Sequence, residues 1–154
     1  MDEGRFTERT MALKDKLYAV CRSILPCEAD REDALQEAVV KAWINLQSLK
    51  SPEYFETWLM RILINECRSA LRRIKRWPEP LPDVEAAREE QDEGLQEALD
   101  AIDAKYRLVI ALHYIDGYRL EEIGRMLRLP KGTVAWRLSQ GRKLLRRKLG
   151  GETQ

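Results

Sequence analysis

The sequence predicts an all-α protein: two small helical domains joined by an acidic, proline-containing linker, the second containing a helix-turn-helix. Three observations lead there. Helix formers (Ala, Leu, Glu, Arg, Lys) dominate, 34% of residues are charged, and only eight Gly and six Pro occur among 154 residues. No alternating run rich in Val, Thr or Tyr suggests a strand. Apolar residues instead recur every three or four positions in two long stretches. Between them, Trp77-Pro78-Glu79-Pro80-Leu81-Pro82 places three prolines in five residues, where no helix can continue. The expected divisions are a helical domain over 1–77, a flexible acidic linker over 78–94, and a second helical domain over 95–154.

The first domain reads as three helices. Leu13, Leu17, Cys21 and Ile24 form one apolar stripe, and Leu35, Ala38, Val39, Ala42, Trp43 and Leu46 form the next. Asp30 is the expected N-cap of that second helix, with Asp33 three residues on as an imperfect capping box. Ser51-Pro52 is a start signal with Pro at the first helical position. The helix after it carries Phe55, Trp58, Leu59, Ile62, Leu63, Cys67 and Leu71. Pro26 and residues 47–51 mark the breaks.

The second domain begins with short stripes at Leu95, Leu99 and Ile102, then at Leu108, Ala111, Leu112 and Ile115, ended by Asp116-Gly117. Leu120, Ile123, Gly124 and Leu127 predict a short helix, and residues 129–132 a turn. A last helix over 133–149 turns Val134, Leu138, Gly141, Leu145 and Leu149 inward, and Gly150-Gly151 stops it.

The net charge is +1, but its distribution is uneven. Residues 1–77 carry +2, residues 78–104 carry −9 and residues 105–154 carry +8. An acidic middle thus separates two segments with basic ends, a pattern suited to a polyanionic ligand. The short helix, tight turn and basic second helix over 118–147 form a helix-turn-helix pattern. The second helix offers Thr133, Trp136, Arg137, Gln140, Lys143, Arg146 and Arg147 away from its stripe. Arg and Lys suit phosphates, and Gln can read an adenine edge; a solvated face on an ordinary bundle helix is the plainer reading. In the first domain, Arg61, Arg68, Arg72, Arg73, Lys75 and Arg76 cluster, with only Glu66 opposing. Tyr54, Phe55, Trp58 and Trp77 lie nearby. Such interleaving suits unpaired bases, although Phe55 and Trp58 also sit on the core stripe. Asp33, Gln36, Glu37 and Lys41 share a polar face on the second helix.

Other chemistries find little support. Three cysteines (Cys21, Cys27, Cys67) form no CxxC pair, and His113 is the only histidine, so neither a zinc site nor another metal or cofactor site is expected. No 18-residue apolar stretch exists and the N-terminus lacks an apolar leader, so the expectation is a cytoplasmic protein without membrane insertion. No base lies beside a nucleophile, and no catalytic residue is assigned.

Taken together these residues resemble a known family. Glu32-Asp33-Ala34-Leu35-Gln36-Glu37 with Val40-Lys41-Ala42-Trp43 resembles region 2 of bacterial sigma factors, as do Phe55-Glu56-Thr57-Trp58-Leu59-Met60-Arg61-Ile62, Asn65 and Arg72-Arg73. Residues 118–149 resemble region 4, above all Glu121-Glu122-Ile123-Gly124 and Gly132-Thr133-Val134. Their order and the short chain resemble the extracytoplasmic-function (ECF) group. The resemblance implies that Asp33, Gln36, Glu37 and Val40 face core RNA polymerase. It implies that the loop 49–54, with Lys50, Ser51 and Tyr54, captures a flipped promoter base, an event costing a few kcal/mol. Arg61, Asn65, Arg68 and Arg72 would contact the melting strand. The last helix would enter the major groove of the minus-35 element with Lys131, Thr133, Ala135, Trp136, Arg137, Gln140 and Lys143. Arg119 stands where a Ser or Thr cap is common and is a candidate phosphate contact; the helix it starts is expected to be less well capped. An anti-sigma factor is a further implied partner. The alternatives are a stand-alone helix-turn-helix regulator, which leaves 32–76 unused, an enzyme, and a purely structural interaction protein. The acidic linker carries one further expectation, that it screens the basic helices of the free chain.

Overall fold

The computed structural model describes residues 1–76 and 93–150, and every regular element among them is helical. The linker over 78–94, and its expected screening role, lie almost wholly outside the described residues. The helix predicted from Leu95 is already under way at Glu93.

The chain opens with a helix that the stripes did not predict, α1 (Glu3–Ala12), nucleated by the Asp2 carboxylate, which accepts from the Arg5 amide at 2.8 Å. Its one buried residue, Phe6, packs on Trp43 and Phe55 with ring centroids 5.2 and 5.8 Å away. Helix α2 (Lys14–Ile24) buries Leu17, Val20, Cys21 and Ile24. Helix α3 (Glu28–Ile44) starts two residues before the expected Asp30 cap. Cys27 occupies the N-cap without a side-chain bond, and Asp30 lies in the first turn. Buried Ala34, Ala38 and Ala42 let α3 approach α4 (Phe55–Arg76) closely. Ser51-Pro52 does open that segment, as a 3-10 turn over 52–54 leading into α4.

In the second region α5 (Glu93–Asp100) and α6 (Ala104–Ile110) lead into a π-helical turn, Ala111–Ile115. The Asp116 amide bonds back to the Ala111 carbonyl at 2.9 Å. The extra residue in this turn takes Ile115 off its predicted stripe, leaving it 64% exposed. Leu95 and Leu149, also expected inside, are exposed as well, lying toward free helix ends. Helix α7 (Leu120–Leu127) and α8 (Lys131–Leu149) complete the chain. Helix α8 starts at Lys131, so the turn is shorter than 129–132.

The two regions pack on each other. Helix α2 touches α3 and α4 on one side and α6 and the π turn on the other, while α4 also meets α7. The buried apolar residues form one cluster running from Phe6 to Leu138. Arg107 ties the junction: its Nε donates to the Ser23 carbonyl at 2.8 Å and its Nη1 to the Ile102 carbonyl. Ser23 O is among the last carbonyls of α2, so a guanidinium there also complements the helix dipole. Lys16 lies over the Tyr118 ring, 4.8 Å from its centroid. Asp116 is buried beside them with one carboxylate oxygen unpartnered. Burial pushes its carboxyl up to about 7; Lys16 pulls it down and Glu56 pushes it up.

Candidate nucleic-acid interface

Helix α4 separates its chemistry by face. Leu59, Leu63, Cys67 and Ala70 are buried, while Arg61, Asn65, Arg68 and Arg72, spaced four, three and four apart, form one ridge on the other side. Asn65 and Arg72 are exposed and Arg61 and Arg68 half-buried. Glu66, the one acid expected to oppose this basic surface, does not. It turns inward and accepts from Lys41 Nζ at 2.6 Å. Lys41 stays exposed while it makes this pair. Among the described residues no ion pair involves Arg61, Arg68 or Arg137. Desolvation lowers the Arg68 pKa, and the positive charges of Arg137 and Arg72 lower it further. Arg68 on α4 thus lies within electrostatic reach of Arg137 in the second region.

Before α4, Lys50 and Tyr54 are exposed, Tyr54 by 53%, and Ser51 is half-buried. Phe55 is core, and Trp58 is half-buried with its indole nitrogen 3.3 Å from the Ser48 hydroxyl. Of the nearby aromatics, Tyr54 is the one left open; Trp77 lies outside the described residues.

In the helix-turn-helix, Arg128 takes the left-handed conformation (φ 56°) and the Leu129 amide bonds the Gly124 carbonyl at 2.9 Å. A Cβ on Gly124 would lie 2.8 Å from the Leu129 carbonyl oxygen, so the backbone of the turn approaches the helix closely there. Val134, Leu138 and Gly141 are buried. Ala135, Trp136 and Lys143 are exposed, Trp136 by 55%, and Thr133, Arg137 and Gln140 are half-buried. Lys131 is exposed but paired with Glu121 at 2.7 Å. The α7 start is better capped than expected. The Glu122 carboxylate accepts the Arg119 amide at 3.0 Å and its Nε at 3.2 Å, which lowers the Glu122 pKa. Arg119 stays exposed.

On α3, Asp33, Gln36, Glu37 and Val40 all lie uncovered, Val40 by 51%. Trp43 and Ile44 extend this surface, being 43% and 66% exposed. Sequence reasoning missed both: Trp43 was assigned to the core stripe, and Ile44 follows Val40 at the same-face spacing of four. His113 is half-buried, with Nδ1 2.9 Å from the Tyr118 carbonyl. Among the described residues no three His, Cys, Asp or Glu side chains are grouped to hold a metal ion, and no helix is long and apolar enough to cross a membrane.

Residues 11–77 match the Sigma-70 region 2 family and residues 92–145 match Sigma-70 region 4. The chain is 32% identical to the ECF RNA polymerase sigma factor SigW of Bacillus subtilis, over 96% of this chain and 90% of that protein. It belongs to the sigma-70 family, in the ECF group. This sigma factor is also 28% identical to the ECF RNA polymerase sigma-E factor of Escherichia coli K12, over 96% of this chain and 88% of that one. Its fold overlays RpoE of Bartonella quintana, solved with the anti-sigma factor NepR, with a TM-score of 0.80 and 24% identity, covering 95% of this chain and 97% of that one. CnrH, solved with the cytosolic domain of CnrY, gives 0.76 and 26%, covering 99% and 92%. The family is one of non-enzymatic transcription initiation factors.

Proposed function

We propose that this sigma factor binds core RNA polymerase in the cytoplasm, directs it to specific promoters and helps open the DNA. The observation that carries the reading is the pairing of two polar surfaces in family order: the α4 ridge (exposed Asn65 and Arg72 with half-buried Arg61 and Arg68) and the outer face of α8 (Ala135, Trp136, Lys143, with Thr133, Arg137 and Gln140 at its margin). Residues 1–77 act as the polymerase- and minus-10-binding domain, 78–94 as the connecting linker, and 95–154 as the minus-35-binding domain. Melting then follows from binding alone. Tyr54, Lys50 and Ser51 hold an unstacked base, and the α4 ridge holds the strand through phosphates and base edges. Lys131 and Arg119 position the second domain on phosphates, and α8 lies in the major groove. Asp33, Gln36, Glu37 and Val40, extended by Trp43 and Ile44, face polymerase. An anti-sigma factor is a further partner of this reading, supported by the complexes in which RpoE and CnrH were solved.

The test mixes the purified chain with bacterial core polymerase and a genomic promoter library, and sequences the RNA 5′ ends. Defined starts requiring both components are expected. Asn65→Ala and Arg72→Ala should lower opening more than closed-complex binding. Starts absent with polymerase, together with tight duplex binding by the chain alone, would favour a stand-alone regulator instead.

A further inference from the structure

The core holds a pair of sulfur atoms that the proposed function does not use. Cys67 Sγ on α4 donates to Cys21 Sγ on α2 across 3.9 Å, and both residues are 0% exposed. Both are free thiols, and Cys27 takes no part in the contact. The two helices pack directly on each other. A disulfide requires about 2.0 Å between the sulfurs, so the two must close by about 2 Å from their present contact. We infer that Cys21 and Cys67 are a modification site, which peroxide converts to an intramolecular disulfide joining α2 to α4 beneath the DNA-facing ridge.

The chemistry assigns unequal roles. The Cys67 S–H bond lowers the Cys21 pKa against the opposing effect of burial, while the same bond and then burial raise that of Cys67. Cys67 donates its S–H to the Cys21 sulfur, and Cys21, as thiolate, opens the reaction. It displaces hydroxide from hydrogen peroxide, forming a sulfenic acid as the O–O bond breaks, and the hydroxide takes up the proton that Cys21 released. Cys67 sulfur then attacks the sulfenic sulfur. The S–S bond forms, the S–O bond breaks, and the leaving hydroxide departs as a second water with the Cys67 proton. Two thiols and one peroxide give one disulfide and two waters: both sulfurs are oxidised and the peroxide oxygens are reduced. Full burial restricts access to small oxidants and makes the reaction slow compared with that of an exposed thiol.

The placement sets the outcome. Cys67 lies on the buried face of α4, away from exposed Asn65 and Arg72. The bond therefore ties down the helix without covering the ridge. The two residues are 46 apart in sequence, and closing a loop of that size should raise the melting temperature by about 10 °C.

The experiment treats the full-length Cys27→Ala chain with hydrogen peroxide. The expected result is a tryptic cross-link between the Cys21 and Cys67 peptides, lighter by two hydrogen atoms than their sum, reversal by dithiothreitol, a raised melting temperature, and retained polymerase-dependent promoter opening. A Cys27→Ala chain that gains oxygen atoms on Cys21 or Cys67, or keeps both thiols alkylatable after denaturation, would overturn the inference. So would a disulfide that abolishes opening, since it would mean the ridge is disturbed. Cys67→Ala added to Cys27→Ala should lose the cross-link; a surviving loss of two hydrogens within a single chain would assign it to other atoms.

Discussion

Two glycines, Gly124 and Gly141, lie buried at helix contacts of the second region, yet alanine should act on them in opposite directions. At Gly124 a new Cβ meets the Leu129 carbonyl oxygen at 2.8 Å. That atom is backbone and belongs to the turn that aims α8, so relief requires the leading end of α8 to move by several tenths of an ångström. Overpacking of this kind costs about 1–3 kcal/mol, and the intrinsic gain of alanine over glycine in a helix offsets about 1 kcal/mol of it. Gly124→Ala should therefore lose up to about 2 kcal/mol. At Gly141 the Cβ meets Ile110 Cδ1 at 2.9 Å, with Ile110 Cγ1 and Tyr106 Cβ at 3.4 Å. The nearest atom is the end of a flexible side chain that rotates away. The helix gain of about 1 kcal/mol then leaves Gly141→Ala between neutral and mildly stabilised. Urea unfolding followed by circular dichroism ranks the two directly. Because only Gly124→Ala redirects α8, it alone should also lose promoter activity at a temperature where both variants are folded. A Gly124→Ala chain as stable as Gly141→Ala would refute the reasoning, because the Leu129 carbonyl would then yield at no cost.

Three other outcomes are expected. Arg107→Ala removes the donor to the Ser23 carbonyl and should lower stability by about 1–3 kcal/mol; hydrogen exchange should speed up in α2 and α6 together, whereas a change confined to α6 would mean the junction does not depend on it. For Asp116, folding raises the carboxyl from its ordinary value near 4 to about 7, so between those values the folded chain holds a proton that the unfolded chain has lost. This contribution is full below about pH 4 and declines to pH 7; melting at pH 4.5, 6 and 8 should therefore show Asp116→Asn gaining on the wild type as pH rises, and a constant difference would sink the assignment. Lys41→Ala leaves the Glu66 carboxylate buried without its partner and should cost about 1 kcal/mol, the exposure of Lys41 reducing the effect; adding Glu66→Gln should recover part of it in urea unfolding.

Most helices were legible because their stripes are continuous and their breaks are marked by Pro and Gly. What the sequence concealed has specific causes. Helix α1 holds one buried residue, Phe6, too few to make a stripe, though Asp2 was a readable cap. The π turn has no local signature, so Ile115 was assigned inward and is exposed. Helix α3 begins before Asp30 with Cys27 at its N-cap and no side-chain cap bond, so no capping residue in the sequence marks its start. The site residues were legible as charge and spacing along α3, α4 and α8. Their partial cover was not: Arg61 and Arg68 are half-buried, and the packing of α7 on α4 joins residues more than forty positions apart. Glu66 is the clearest case, an acid that spacing placed among cations and that Lys41 holds inward from another helix.

The single apolar cluster running through both regions means that parting them would expose the apolar surface that joins them. A ligand that needs the regions apart binds only the fraction already parted, so its apparent dissociation constant is the intrinsic one divided by that fraction. With about one molecule in a thousand open, affinity falls about a thousandfold, or about 4 kcal/mol. A ligand that fits the joined form meets no such handicap. Substitutions at Arg107 or Tyr118 thus tune occupancy by every such ligand without touching any of them.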